Sequence, residues 1–172
     1  MTLPIHTPRL RISEFTIDDA EFILVLLNDP DFVRHVADRG VRTPDEARRY
    51  LAEGPIASYR RHGFGLWRVA LRADDTPVGM AGLVSRDFLD GVDLGYALLP
   101  AHRGQGVAHE ATRAVMAYAT GTLGLARVLA IVSNDNPRSI ALLEKLAFRY
   151  AGQTCHPGDP SPVALYEHSV GT

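Results

Sequence analysis

Polar and apolar residues alternate over residues 9–15, Arg-Leu-Arg-Ile-Ser-Glu-Phe, which predicts a first strand with one buried face. Thr16 then stands as a helix cap and Asp19 favours the dipole in the first turn, while Ile17, Ala20, Ile23, Leu24 and Leu27 recur at helical spacing. Asn28-Asp29-Pro30 stops that helix. A second helix is expected over 44–61, because Thr43-Pro44-Asp45-Glu46 combines a cap, a first-turn proline and a capping-box glutamate. Three extended segments follow at 65–71, 78–84 and 92–99. Asp74-Asp75-Thr76-Pro77 suits a hairpin turn between the first two, and residues 87–91 join the second to the third, so an antiparallel meander is predicted.

A helix over 107–120 carries Ala108, Ala111, Val115, Tyr118 and Ala119 on one stripe. Residues 126–132 are apolar and partly β-branched, as in a buried strand. Asn136-Pro137 supplies a cap and a first-turn proline for a helix to about Leu146, with Ile140, Leu143 and Ala147 inward. Strands at 148–154 and 163–170 close the pattern across a Pro- and Gly-rich loop. The unit 92–99, 107–120, 126–132 needs a right-handed crossover and a parallel strand pair. The fold class is therefore a mixed α/β (α+β) sheet of about seven strands, with four helices on its two faces.

Composition narrows the partners. At 172 residues, 46% hydrophobic and 22% charged, the chain fits one globular domain with a sizeable core. A net charge of −2 gives no electrostatic case for nucleic acid. No apolar run approaches the ~20 residues of a membrane span, and residues 1–6 lack the basic-then-apolar pattern of a signal peptide, so a cytoplasmic protein is expected. Cys155 is the single cysteine, which excludes an internal disulfide, and the seven histidines show no ligand spacing, so no metal is expected.

The stretch Arg103-Gly104-Gln105-Gly106-Val107-Ala108 lies between an extended run ending at Pro100 and the helix at 107. Glycines at a helix start leave backbone N–H groups free and aligned with the positive end of the dipole, an arrangement that suits phosphate or pyrophosphate. The same residues would equally serve as a plain surface turn opening a helix.

The element order and four motifs together resemble the GNAT superfamily of acetyl-CoA-dependent N-acetyltransferases, and within it the Rim-type (ribosomal-protein N-terminal acetyltransferase) branch. Arg103, Gly106 and Ala108 fill the family's pyrophosphate signature. Gly95-Tyr96-Ala97-Leu98-Leu99-Pro100 stands before it, Asn136-Pro137-Arg138-Ser139 and Glu144-Lys145-Leu146-Ala147-Phe148 after it, and Thr7-Pro8-Arg9-Leu10 opens the match. The resemblance runs from about Thr7 to Val170, a single domain over 7–170, with Ala147 replacing the usual glycine before Phe148. That replacement is expected to keep the helix exit out of the left-handed conformation.

The resemblance implies that acetyl-CoA is the co-substrate and lies between the strand pair, which splays apart to admit it. Leu98 would pair with the pantetheine arm, with Leu99 beside it. The pyrophosphate would sit on Arg103, Gly104, Gln105, Gly106, Val107 and Ala108, and Asn136 would offer its amide. The tyrosine that many relatives use to protonate the leaving thiolate is replaced by Leu143, and Ser139 matches the serine that takes the part in the Rim-type branch.

Asp93 is the expected base, with Glu14 and Asp87 as runners-up, and Tyr96 is read as a packing residue. His35 and His62 could line an acceptor cleft. The acceptor is expected to be an amine of a small molecule or a protein N-terminus. The competing reading is a non-catalytic acetyl-CoA-binding sensor or scaffold. A homodimer through a helix or the terminal strands is left open.

Overall fold

The computed structural model describes residues 1–170. These form one eight-stranded sheet in the order β1-β2-β3-β4-β5-β6-β8-β7. Along the chain, β1 (Ile5–His6) and β2 (Leu10–Ser13) lead into α1 (Ala20–Leu27), α2 (Pro30–His35), α3 (Pro44–Leu51) and α4 (Ala57–His62). The meander β3 (Leu66–Leu71), β4 (Pro77–Ser85) and β5 (Val92–Leu98) follows. Then come α5 (Val107–Gly121), β6 (Arg127–Val132), α6 (Pro137–Lys145), β7 (Arg149–Cys155) and β8 (Pro162–Ser169). The β5–β6 pair is parallel and every other pairing is antiparallel, which is the mixed sheet expected.

The described residues form more elements than the seven strands and four helices expected. β1 is two residues long and carries no periodicity to read. α2 begins where the sequence signalled only a stop: Pro30 ends one helix and sits in the first turn of the next, and Asp29 accepts from the Phe32 N–H at 3.1 Å as its cap. The helix expected over 44–61 is divided by a π-helical turn at Ala52–Ile56, where Pro55 has no N–H to give the ladder.

Two apolar clusters fill the two faces of the sheet. α5 buries Val107, Ala111, Val115 and Ala119, spaced by four residues, against Leu83, Leu94 and Leu98. Each fully buried side chain of the size of Val115 is worth about 1.5–3 kcal/mol. On the other face Ile23, Leu26 and Leu27 of α1, Phe32 of α2 and Leu51 of α3 enclose Met80 and Ala97. Strand alternation thus turns Leu94, Tyr96 and Leu98 toward α5, and Asp93, Gly95 and Ala97 toward the α1–α3 layer.

Ala147 corrects one expectation. It does enter the left-handed region, at φ +63°. The Ala147 N–H donates to the Glu144 carbonyl and the Phe148 N–H to the Leu143 carbonyl, both at 3.0 Å, so the terminal turn keeps the geometry glycine usually provides. Burial of Phe148 holds the exit in place against the steric cost of the alanine Cβ.

Candidate active site

β5 and β6 share only the register pair Asp93↔Leu129, and beyond it they separate. β4 stays with β5 through Gly79↔Leu98, and Gly79 is required there because an added Cβ would lie 2.3 Å from the Ala97 carbonyl oxygen. The Leu99 N–H donates to the Val78 carbonyl at 2.9 Å, so the N–H and C=O of Leu98 point the other way, toward the gap. Leu99, expected beside the cofactor, lies outside the gap: its N–H is spent on β4 and its side chain packs with the α1–α3 layer.

The gap opens into a cleft of about 1150 Å³ that reaches from the N-termini of α5 and α6, through the split in the sheet, to α2 and the β7–β8 loop. Gly104 and Gly106 at its rim have φ +72° and +77°, values an L side chain rarely takes. Among the described residues the N–H groups of Gly104, Gln105, Gly106, Val107 and Ala108 meet no acceptor, and no side chain caps α5. The Thr7-Pro8-Arg9 motif buttresses this turn. Arg9 donates through its guanidinium to the Gln105 carbonyl at 2.7 Å and to Glu110 at 2.6 Å, and the Thr7 hydroxyl also reaches Glu110. Burial alone would raise the Glu110 pKa, but these hydrogen bonds outweigh it and hold the group ionised.

Arg103 does not present its charge to the free N–H groups. Its guanidinium forks onto Asp29 and, at 2.7 Å, Asp31, and it donates to the Leu98 carbonyl at 3.1 and 2.9 Å. Its own N–H is taken by the Pro100 carbonyl at 3.2 Å. What Leu98 leaves open to the gap is therefore its N–H alone.

At the start of α6 Asn136 lines the cleft and its side-chain oxygen accepts from the Ser139 N–H at 3.2 Å, which leaves the amide nitrogen without a partner among the described residues. The Ser139 hydroxyl hydrogen-bonds the Tyr96 hydroxyl, joining α6 to β5 across the gap. Burial raises the Tyr96 pKa to about 12 against the opposing bond to Ser139, so the phenol stays protonated at neutral pH. Tyr96 packs against the core beside Leu94 and Leu98, as expected, and its hydroxyl also reaches Ser139.

Asp93 faces the other side. Its carboxylate is 1% exposed, and both oxygens accept from Arg86 Nε, at 3.0 and 3.1 Å. Burial raises its pKa and Arg86 opposes the rise. With both oxygens engaged, Asp93 orients a guanidinium rather than offering a free base. Glu14 lies in a separate cavity beside Arg11 and Arg68, and neither Asp87 nor His62 lines the cleft, whereas His35 does.

His156, in the β7–β8 loop, also lines the cleft and packs on Phe88 at a centroid distance of 5.6 Å. Burial lowers its pKa, and the charges of Arg86 and Arg39 lower it further, while Asp159 acts in the opposite sense. The imidazole is thus held neutral at pH 7, with a lone pair for a proton. The prolines and glycines mark this stretch as a loop, but nothing in them shows which element His156 faces.

The cleft suits a long ligand with an anionic end. It offers five free N–H groups and a strand edge with a free amide. Arg138 and Lys145 on α6 line it without ion pairs among the described residues, and the motifs they stand in single out neither. Among the described residues no helix is long and apolar enough to cross a membrane, and no cluster of His, Cys, Asp and Glu could hold a metal.

Residues 9–149 match the family profile of the acetyltransferase (GNAT) domain. An uncharacterized N-acetyltransferase of Bacillus subtilis (strain 168), YoaA, is 26% identical over 149 residues, which span 86% of this chain and 84% of the relative. Two solved structures share the fold. An acetyltransferase from Agrobacterium tumefaciens superposes with a TM-score of 0.82 at 22% identity, over 99% of this chain and 96% of its own. RimL, a ribosomal L7/L12 alpha-N-protein acetyltransferase in complex with coenzyme A, superposes with a TM-score of 0.81 at 16% identity, over 97% of each chain. A family match over most of the chain, on a sheet split where the family admits its cofactor, means that this chain belongs to the GNAT acetyltransferases and is an acetyl-CoA-dependent acyltransferase.

Proposed function

We propose that this enzyme, acting as one catalytic domain over residues 7–170, moves the acetyl group of acetyl-CoA to a primary amine by direct attack on the thioester. Acetyl-CoA supplies the activated acyl group. The N–H groups of Gly104 to Ala108 bind the diphosphate at the positive end of α5. Arg138 and Lys145 add charge for the remaining phosphate, the Leu98 N–H pairs with the extended arm, and the Asn136 amide donates to it. Arg103 fixes the turn and the end of β5 instead of touching phosphate.

At the reacting end the chemistry divides between the two faces of the gap. His156 removes a proton from the attacking nitrogen, directly or through one water. The new N–C bond forms as the C–S bond breaks, and the Ser139 hydroxyl donates to the departing sulfur, with the Tyr96 phenol behind it as the proton reserve. The single observation that carries this reading is the Tyr96–Ser139 pair, set across the split between β5 and β6 next to a turn with five free N–H groups.

The test follows release of free thiol from acetyl-CoA over a panel of primary amines, alongside calorimetric binding of CoA. Turnover by the wild type, with Ser139→Ala retaining CoA binding and losing most of kcat, supports the assignment. CoA binding without turnover on any amine would reject it.

A further inference from the structure

The charges lining the cleft do not balance, and the imbalance has a sign. Three carboxylates line it, and each already has a guanidinium: Asp31 with Arg103 at 2.7 Å, Asp93 with Arg86 at 3.0 Å and Asp135 with Arg34 at 3.1 Å. No carboxylate of the cleft is left to hold a second ammonium on the acceptor. Among the described residues the lining cations without a carboxylate within 4 Å are Arg138 and Lys145 on α6 and Arg39 in the α2–α3 loop. The first two stand on the diphosphate side. Arg39 stands on the other, at the solvent-exposed mouth of the half lined by Phe32, Val36, Arg86 and His156.

From this we infer that the acceptor is an amine carrying its own anionic group, a carboxylate or a phosphate, which docks on Arg39 while the amine reaches in toward His156. The inference rests on the acetyl-transfer reading above and narrows its substrate class. Arg86 is bound to Asp93 through Nε, and its charge, partly offset by that carboxylate, adds to the positive field there. That field already acts on two neighbours: Arg39 and Arg86 both lower the His156 pKa and both oppose the burial-driven rise at Tyr50. The same field repels a polycation and favours the neutral, attacking form of the amine. Phe32 and Val36 give the connecting segment an apolar wall.

Matched acceptors test this on the intact enzyme: an amino acid against its amide and its methyl ester, phosphoethanolamine against ethanolamine, and a polyamine. The carboxylate and phosphate arms separate the two anions. The anionic member of at least one pair is expected to have a kcat/KM higher by on the order of tenfold, as for one charge-assisted hydrogen bond. That preference should appear mainly in KM, shrink in high salt because Arg39 is exposed, and collapse toward unity in Arg39→Gln. Equal or better turnover of the neutral amines or the polyamine, or a preference that survives Arg39→Gln, would overturn the inference and leave acetyl transfer standing. No turnover with any amine, while CoA still binds, would overturn both.

Discussion

The arginine of the glycine turn belongs to α2: Arg103 grips Asp29, the buried cap of that helix, and not the free N–H groups of Gly104 to Ala108. The contact ties the glycine turn to the layer that lines the other half of the cleft. Asp29 is 6% exposed at its side chain and Arg103 25%, so removing the cation strands a mostly buried carboxylate. Arg103→Met should cost about 3 kcal/mol in a urea titration. Asp29→Asn keeps the cap but removes the charge that Arg103 grips, leaving it Asp31 and the Leu98 carbonyl, and it should raise the KM for acetyl-CoA several-fold although residue 29 touches no phosphate. An unchanged KM in Asp29→Asn, with a large rise in Arg103→Met, would show instead that Arg103 meets phosphate directly.

Tyr96 and Ser139 share one hydrogen bond, so their removal should not be additive. Each of Tyr96→Phe and Ser139→Ala is expected to lower kcat by roughly 10²-fold, the lower end for a positioned proton donor. The double variant should be little slower than the worse single one. Effects that multiply in full would mean the two hydroxyls act separately, and a loss confined to KM would make the pair a binding element. Steady-state kinetics with acetyl-CoA varied at saturating amine distinguishes the three.

What the chain disclosed about itself follows how local the signal was. Thr43-Pro44-Asp45-Glu46 and Asn136-Pro137 announce their helices because caps act within one turn, and both caps are made. The glycines at 104 and 106 could be read for the same reason: the left-handed conformation is a property of the residue itself. Side-chain commitments across the fold were not legible. Nothing near Arg103 in sequence points to Asp29, 74 residues away, and nothing near Asp93 marks Arg86 as the partner of both its oxygens. The sheet split was expected from the family resemblance alone and not from the strands themselves, since their residues would suit a paired or an opened edge.

Ala147 offers a stability test away from the chemistry. It is exposed and sits at φ +63°, where an alanine Cβ crowds the backbone at a cost of about 1–2 kcal/mol. Glycine removes that strain and returns part of the gain as unfolded-state entropy, about 0.4–1 kcal/mol. Ala147→Gly should therefore be more stable by a net ~0.5–1 kcal/mol, a Tm increase of about 1–4 °C, with kinetic constants unchanged. A lower Tm in scanning calorimetry would show that the helix exit relaxes away from the left-handed geometry in solution.

The pH profile should report His156. The base must be neutral to act, and burial together with Arg86 and Arg39 pushes its pKa below the ordinary 6.5. With an acceptor whose amine stays protonated throughout, kcat/KM should rise through that depressed value, so the acid limb falls below pH 6.5. Asp159 and Asp93 are the nearby carboxylates, one acting on the imidazole directly and the other by offsetting Arg86. Removing the second has a definite sign. Asp93→Asn leaves the Arg86 charge unopposed, further disfavours the imidazolium, and should move the limb to still lower pH. His156→Gln should abolish the limb and reduce kcat by roughly 10²-fold. A limb that persists in His156→Gln would assign the proton to another group, and one that moves upward in Asp93→Asn would mean that Arg86 does not act on the imidazole.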